Sequence, residues 1–249
     1  MSQLDGLIAR SRKPGVFVER RRFTLSRERA IEKLREFSLR HPSQYVLELV
    51  QSAVFAGATY LACDARPGSL LIAWVGGKPF NRRQLEDLLD YLFADRTDPE
   101  TRHLVQLAVG VNAILQRKPK TLRLETGDGK TSVRLALDAK GNGTVGEVQD
   151  PIAGTYLYAE FGGGWFQRFM GSTHTPEQAL VEERCLYTPV PILLNGRAPF
   201  GYRGTRHIEI FGARTQAHFD EEGRRGVVAM HSDPRVTGCL LYTSDAADE

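Results

Sequence analysis

Cysteine is scarce in this sequence, with three in 249 residues. Cys63, Cys185 and Cys239 stand far apart, without the spacing of a zinc site or a disulfide framework, so a reducing compartment is expected. Long apolar runs are missing too. No stretch approaches the roughly 20 residues that span a bilayer, and nothing resembling a secretory signal opens the chain. The expectation is a cytoplasmic protein with no membrane partner. The six histidines are scattered and make no His-Asp-Ser or His-Cys arrangement at any recognisable spacing. Neither charge sign dominates, with 33 Lys and Arg against 30 Asp and Glu, which removes the broad excess of positive charge that nucleic-acid binding favours.

What is present is an ordinary globular composition, 41% hydrophobic, enough to bury a real core. The last eleven residues, Cys239–Glu249, read like translated sequencing adapter and are set aside from fold reasoning. Without their three carboxylates, 27 acidic residues remain against 33 basic ones, a formal charge of +6.

The most informative stretch is QYVLELVQSAVFAGAT, Gln44 to Thr59. Tyr45, Val46, Leu49, Val50, Ala53 and Val54 recur at helical spacing, Gly57 reads as a left-handed cap, and Thr59 to Cys63 continues as a strand. Glu48, Ser52 and Phe55 share one stripe of that helix. A carboxylate on an inner helix is costly unless something polar faces it, which hints at a pocket.

Around this stretch the pattern predicts a basic arm over 1–15, an edge strand over 16–25 and a helix from Ser26 to about Leu39. A second strand over 70–75 should pair with the first as a hairpin. Helices are expected over 82–93 and around 104–111, the latter interrupted by Gly110. From Thr121 the period changes to that of strands: 121–126, 130–137, 144–148 and 154–161, joined by Gly-Asp-Gly and Gly-Asn-Gly hairpin signals. Gly162–Gly164 is a candidate joint. Beyond it come a helix over 175–186, a strand at 190–194, and strands near Ile208 and Val228. Trp74 and Trp165 read as packing residues. Helices first, then a hairpin, then more helices and a run of antiparallel strands indicate an α+β, two-layer sandwich. The division expected is an ATPase-like domain over 16–163 and the start of a second α/β domain over 164–238.

The segment ELVQSAVFAGAT, Glu48 to Thr59, resembles the helix motif E-L-x-x-N-A-x-D-A-G-A of the gyrase, heat-shock chaperone, histidine kinase and MutL (GHKL) ATPase superfamily. A strand and glycine turn (Ile72 to Phe80), a glycine-bearing helix (Leu107 to Ile114) and a Gly-Thr strand (Gly154-Thr155) follow in that family's order. The helix over 175–186 and the strand TPVPILLNG look most like the junction in ninety-kilodalton heat-shock chaperones.

That resemblance implies a Bergerat-type fold, ATP with Mg²⁺, protein clients or partners, and a homodimer through the region beyond residue 238. Glu48 stands where the family's general base activates water. Ser52 replaces the Asn that ligates Mg²⁺, making it the metal candidate. Val75 stands where an Asp accepts the adenine amino hydrogen, which a valine cannot do; Gly77 lies in the turn after it. Of three phosphate-loop glycines Gly110 is kept, while Leu107 and Asn112 occupy the other positions. Thr155 completes the nucleotide set, and Phe55 replaces an acidic residue. Three readings follow: a heat-shock-chaperone-like ATP-binding protein coupled to domain closure, a pseudo-ATPase interaction scaffold, and a DNA-associated relative that rests on the +6 charge and the arginines, Arg20 to Arg22 with Arg27 and Arg29.

Overall fold

The structure, a computed structural model, describes residues 26–37, 39, 41–162, 174–186, 188–198, 213–221 and 224–231. The basic arm, the strand expected over 16–25, Gly163 and Gly164, Trp165, the strand near Ile208 and the eleven-residue tail lie outside the described residues.

Helix α1 (Arg27–Phe37) is followed by α2 (Tyr45–Phe55), whose buried positions Tyr45, Val46, Leu49, Val50 and Ala53 are those the 3.6-residue period selects. Gly57, at φ +83°, leaves the helix in the left-handed region that any other residue would enter at a cost. The chain then runs directly into β1 (Ala58–Arg66), turns at Pro67-Gly68 and returns as β2 (Ser69–Gly76), antiparallel with Cys63 opposite Ile72.

The stretch expected as one helix over 82–93 divides. Asn81 and Gln84 form a reciprocal capping box that starts α3 (Arg82–Glu86), and Leu88–Phe93 continues as a 3₁₀ helix whose three-residue turn aligns Leu88 with Tyr91 against the core. Helix α4 (Arg102–Gln116) is not interrupted at Gly110. A Cβ there would lie 2.8 Å from Leu49 Cδ2 and 3.4 Å from the Tyr45 carbonyl oxygen, so the missing side chain lets α4 lie against α2. That close approach offsets the roughly 1 kcal/mol of helix propensity that glycine forfeits.

Strands β3 (Thr121–Asp128), β4 (Ser132–Leu137), β5 (Gly143–Glu147) and β6 (Ala153–Glu160) follow, and β7 (Ile192–Leu194) completes a seven-stranded sheet in the order β5-β4-β3-β6-β2-β1-β7. All pairings are antiparallel except β1 with β7. Alternation along the strands sends Leu61, Cys63, Leu70, Ile72, Trp74, Leu122, Leu124, Leu157 and Ala159 into one core shared with α2 and α4. The protein is thus an α+β two-layer sandwich, helices on one face of a mixed sheet.

The core continues past the glycine joint. Helix α5 (Pro176–Arg184), capped by the Thr175 hydroxyl, packs Val181 into it together with Cys185, and β7 pairs with β1 in the same sheet. Asn195, just after β7, accepts a hydrogen bond from the Ala65 N–H at 2.8 Å. Strands β8 (Ala213–Glu221) and β9 (Arg224–His231) pair with each other as a separate antiparallel ribbon. Among the described residues no helix is long and apolar enough to cross a membrane.

Candidate functional site

Helix α2 carries Glu48 and, one turn on, Ser52. The Glu48 carboxyl is half-buried, and burial raises its pKa above the ordinary 4.5, an effect that Arg96 partly opposes. Ser52 is fully buried, and its hydroxyl donates to the His103 carbonyl oxygen at 2.8 Å. That bond ties the middle of α2 to the first turn of α4. Two residues of the same stripe are therefore spoken for differently: Glu48 keeps access to solvent, and Ser52 does not.

From Ser52 a run of contacts leads toward the sheet. The His103 ring stacks on Phe80, centroids 5.7 Å apart at 15°, and Phe80 meets Trp74 edge to face at 6.3 Å and 89°. The Phe80 N–H donates to Thr126 Oγ1 at 3.2 Å, and the hydroxyls of Thr126 and Thr155 share a hydrogen bond of 2.8 Å. Burial lowers the His103 pKa from the ordinary 6.5, with Lys78 and Arg102 adding repulsion, so the ring sits there neutral at physiological pH. The Arg102 guanidinium lies 4.5 Å from the centroid of Phe55, the residue at the family's acidic position.

Val75 projects from the opposite face of the sheet, 40% exposed and paired with Tyr60, because strand alternation gives the core-facing place at that end to Trp74. Gly77, at φ +74°, docks the turn after β2 on the end of α2; a Cβ there would collide with the Ala56 carbonyl oxygen, which accepts from the Lys78 N–H at 2.9 Å. Gly110 and Asn112 point to different neighbours, since two residues along an α-helix turn by about 200°. Gly110 faces Leu49, whereas the Asn112 side-chain oxygen accepts from Arg35 Nε on α1 at 3.0 Å, its Nδ2 without a partner among the described residues. Position 110 lies inside a continuous helix rather than in an open loop, so its N–H does not belong to an anion cradle. Leu107 is fully buried in the core. Of the residues carried over for Mg²⁺-ATP, Ser52 and Thr155 are linked through His103, Phe80 and Thr126, whereas Val75 lies on the other face of the sheet. Among the described residues no group of three or more His, Cys, Asp and Glu side chains converges as a metal site.

Clefts open elsewhere among the described residues. One of about 730 Å³ lies between α1 and the β4–β5 turn, lined by Arg27, Glu32, Arg35, Leu89 and Asn142. Another, of about 370 Å³, is bordered by Tyr45, Arg117, Phe161 and Glu177, and a third, of about 300 Å³, lies on the uncovered face of the sheet. At the second, the Tyr45 hydroxyl donates to Glu177 Oε1 at 2.9 Å and accepts from Arg117 Nη1 at 3.0 Å, while Arg117 also pairs with Glu177 and lies over the Phe161 ring. Sequence reasoning missed this network. Its members are 60 to 132 positions apart, and no local pattern links them.

No family model matches the chain, and no curated protein matches it. Among solved structures it is similar to one described as the crystal structure of the N terminal domain of a DNA repair protein, at 11% identity and a TM-score of 0.46 over 68% of this chain. The chain spans about half of that structure, 53% of its length. A likeness of that size assigns neither a family nor an activity.

Proposed function

We propose that this chain is a pseudo-ATPase of GHKL type: a protein-interaction scaffold that keeps the sandwich and has closed the nucleotide cleft with its own side chains. The observation that carries this reading is the fully buried hydrogen bond from Ser52 to the His103 carbonyl. It occupies the group that would have to ligate Mg²⁺ and sets the first turn of α4 over α2. Stacking of His103 on Phe80, and the Thr126–Thr155 pair beneath, fill the adjoining volume. Opening such a cleft would expose buried aromatic surface and separate paired polar groups, each at a cost of about 1–3 kcal/mol.

The test is calorimetric titration of the full chain with ATP, with and without Mg²⁺. No saturable heat is expected. Magnesium-dependent saturable binding would overturn the scaffold reading.

One observation favours the second reading, an ATP-binding protein of heat-shock-chaperone type. The half-buried Glu48 carboxyl has its pKa moved toward the working range of a general base. On that reading Glu48→Ala abolishes hydrolysis while sparing binding, and unchanged turnover in the variant would remove Glu48 from the chemistry.

A further inference from the structure

The helices among the described residues cover one face of the sheet, and the other face carries a concentrated apolar patch. Of the seven exposed large hydrophobic residues among the described residues, five lie there: Tyr60, Leu71, Val75, Tyr156 and Tyr158. Cross-strand register makes them one surface. Tyr60 is opposite Val75, and Leu71 is opposite Tyr158, which is in turn opposite Arg123. Tyr156 and Tyr158 stand two residues apart on the central strand β6 and border the shallow cleft of about 300 Å³ together with Leu71, Arg123 and Ile152. Exposed aromatics clustered at this density mark an interaction surface.

Charge decides the occupant. The ionisable side chains at open-face positions are Asp64, Arg66, Arg123, Glu125, Arg134 and Glu160, three of each sign. A polyanion needs an excess of positive charge, so nucleic acid and anionic lipid are disfavoured. Arg66 is held by Asp64 at 2.8 Å and Arg134 by Glu125 at 2.6 Å. Those pairs leave the side chains of Arg123, across from Tyr158 on β3, and of Glu160, two residues beyond it on β6, with no ion pair or hydrogen bond among the described residues. One unpaired charge of each sign beside a central aromatic is self-complementary. A twofold axis running between them sets each against the other in a second copy and brings Tyr158 close to its own mate.

We propose that the uncovered sheet face is a homodimer interface centred on Tyr158, with Arg123 of each copy paired to Glu160 of the other. The inference stands whether or not nucleotide binds. Five strands at about 4.8 Å spacing and six residues at about 3.4 Å each give a face of roughly 24 by 20 Å, close to 1,000 Å² over two copies. That is the lower end of the range for specific interfaces and fits a reversible dimer.

Sedimentation equilibrium of the full chain tests this. A concentration-dependent dimer is expected, weakened about tenfold or more by Arg123→Glu and by Tyr158→Asp, with circular dichroism confirming that both variants remain folded. The exchanged pair, Arg123→Glu with Glu160→Arg, restores association. A chain that stays monomeric at all concentrations overturns the proposal. So does a dimer indifferent to both single substitutions, or a charge exchange that fails to restore it.

Discussion

Ser52 on α2 and His103 on α4 are joined across the helix–helix contact by a single hydrogen bond of 2.8 Å, hydroxyl to carbonyl, with no solvent access to Ser52. Enlarging Ser52 to asparagine therefore adds an amide at a fully buried, hydrogen-bonded position. Ser52→Asn should lower stability by about 2 kcal/mol through overpacking and lost hydrogen bonding, without conferring ATP binding. Urea denaturation beside calorimetry checks both parts, and a stable variant that binds Mg²⁺-ATP would show that the cleft is latent rather than closed.

His103 makes the fold sensitive to acid. Its folded-state pKa lies below the ordinary 6.5, because burial penalises the charged ring. A depressed pKa means stability that is present above 6.5 and lost as pH falls through the folded-state value. His103→Phe, which retains an aromatic partner for Phe80, should therefore flatten the fall in thermal midpoint between about pH 7 and pH 5. Identical profiles for the two proteins would remove His103 as the cause.

Glu48 has the opposite sign. Its folded-state pKa is raised above 4.5, mainly by burial, so its contribution is greatest while both states are protonated and is lost as pH rises through the folded-state value. Glu48→Gln should match the parent in thermal midpoint at about pH 4 and exceed it at about pH 8. A variant less stable at the higher pH would mean that the carboxylate gains more from Arg96 than burial costs it.

Gly77 and Gly196 both occupy the left-handed region, at φ +74° and +80°, but their surroundings differ. A Cβ at Gly196 meets nothing within 4 Å, whereas one at Gly77 meets the backbone of Ala56 and Ala58. Gly196→Ala should cost about 1 kcal/mol from conformation alone. The cost of Gly77→Ala should exceed about 3 kcal/mol, because backbone cannot step aside. Chemical denaturation gives the order, and equal losses would mean that the Gly77 turn is free to move away from α2.

Tyr45 and Glu177 hold α5 against α2. The pKa of the tyrosine hydroxyl is raised, first by burial and then by the neighbouring carboxylate, and that hydroxyl both donates to Glu177 and accepts from Arg117. A double-mutant cycle of Tyr45→Phe and Glu177→Gln should show coupling of about 1 kcal/mol, less than for a fully buried pair because Arg117 remains partly solvated. Additive losses would mean that each residue is stabilised by other neighbours.

Much of the layering was legible in the chain. The apolar stripe of α2, the Gly57 cap and the strand period from Thr121 onward follow from local geometry, because backbone repeat alone sets which side chains share a face. Other features were not. Gly110 reads as a break when seen only with its sequence neighbours, and becomes a contact surface once Leu49 lies against it. The resemblance sets Val75 at an adenine-binding position, but register and pleat turn it away from the helices and send Trp74 toward them instead. The bond from Ser52 to His103 and the Tyr45–Glu177–Arg117 network join residues between 51 and 132 positions apart. The sequence by itself determined which residues would be helical, extended or buried, since those preferences are short-ranged. Which buried polar groups satisfy one another, and whether the space between α2 and the sheet stays open, only the tertiary structure decided, because both depend on contacts that exist only once the chain has closed on itself.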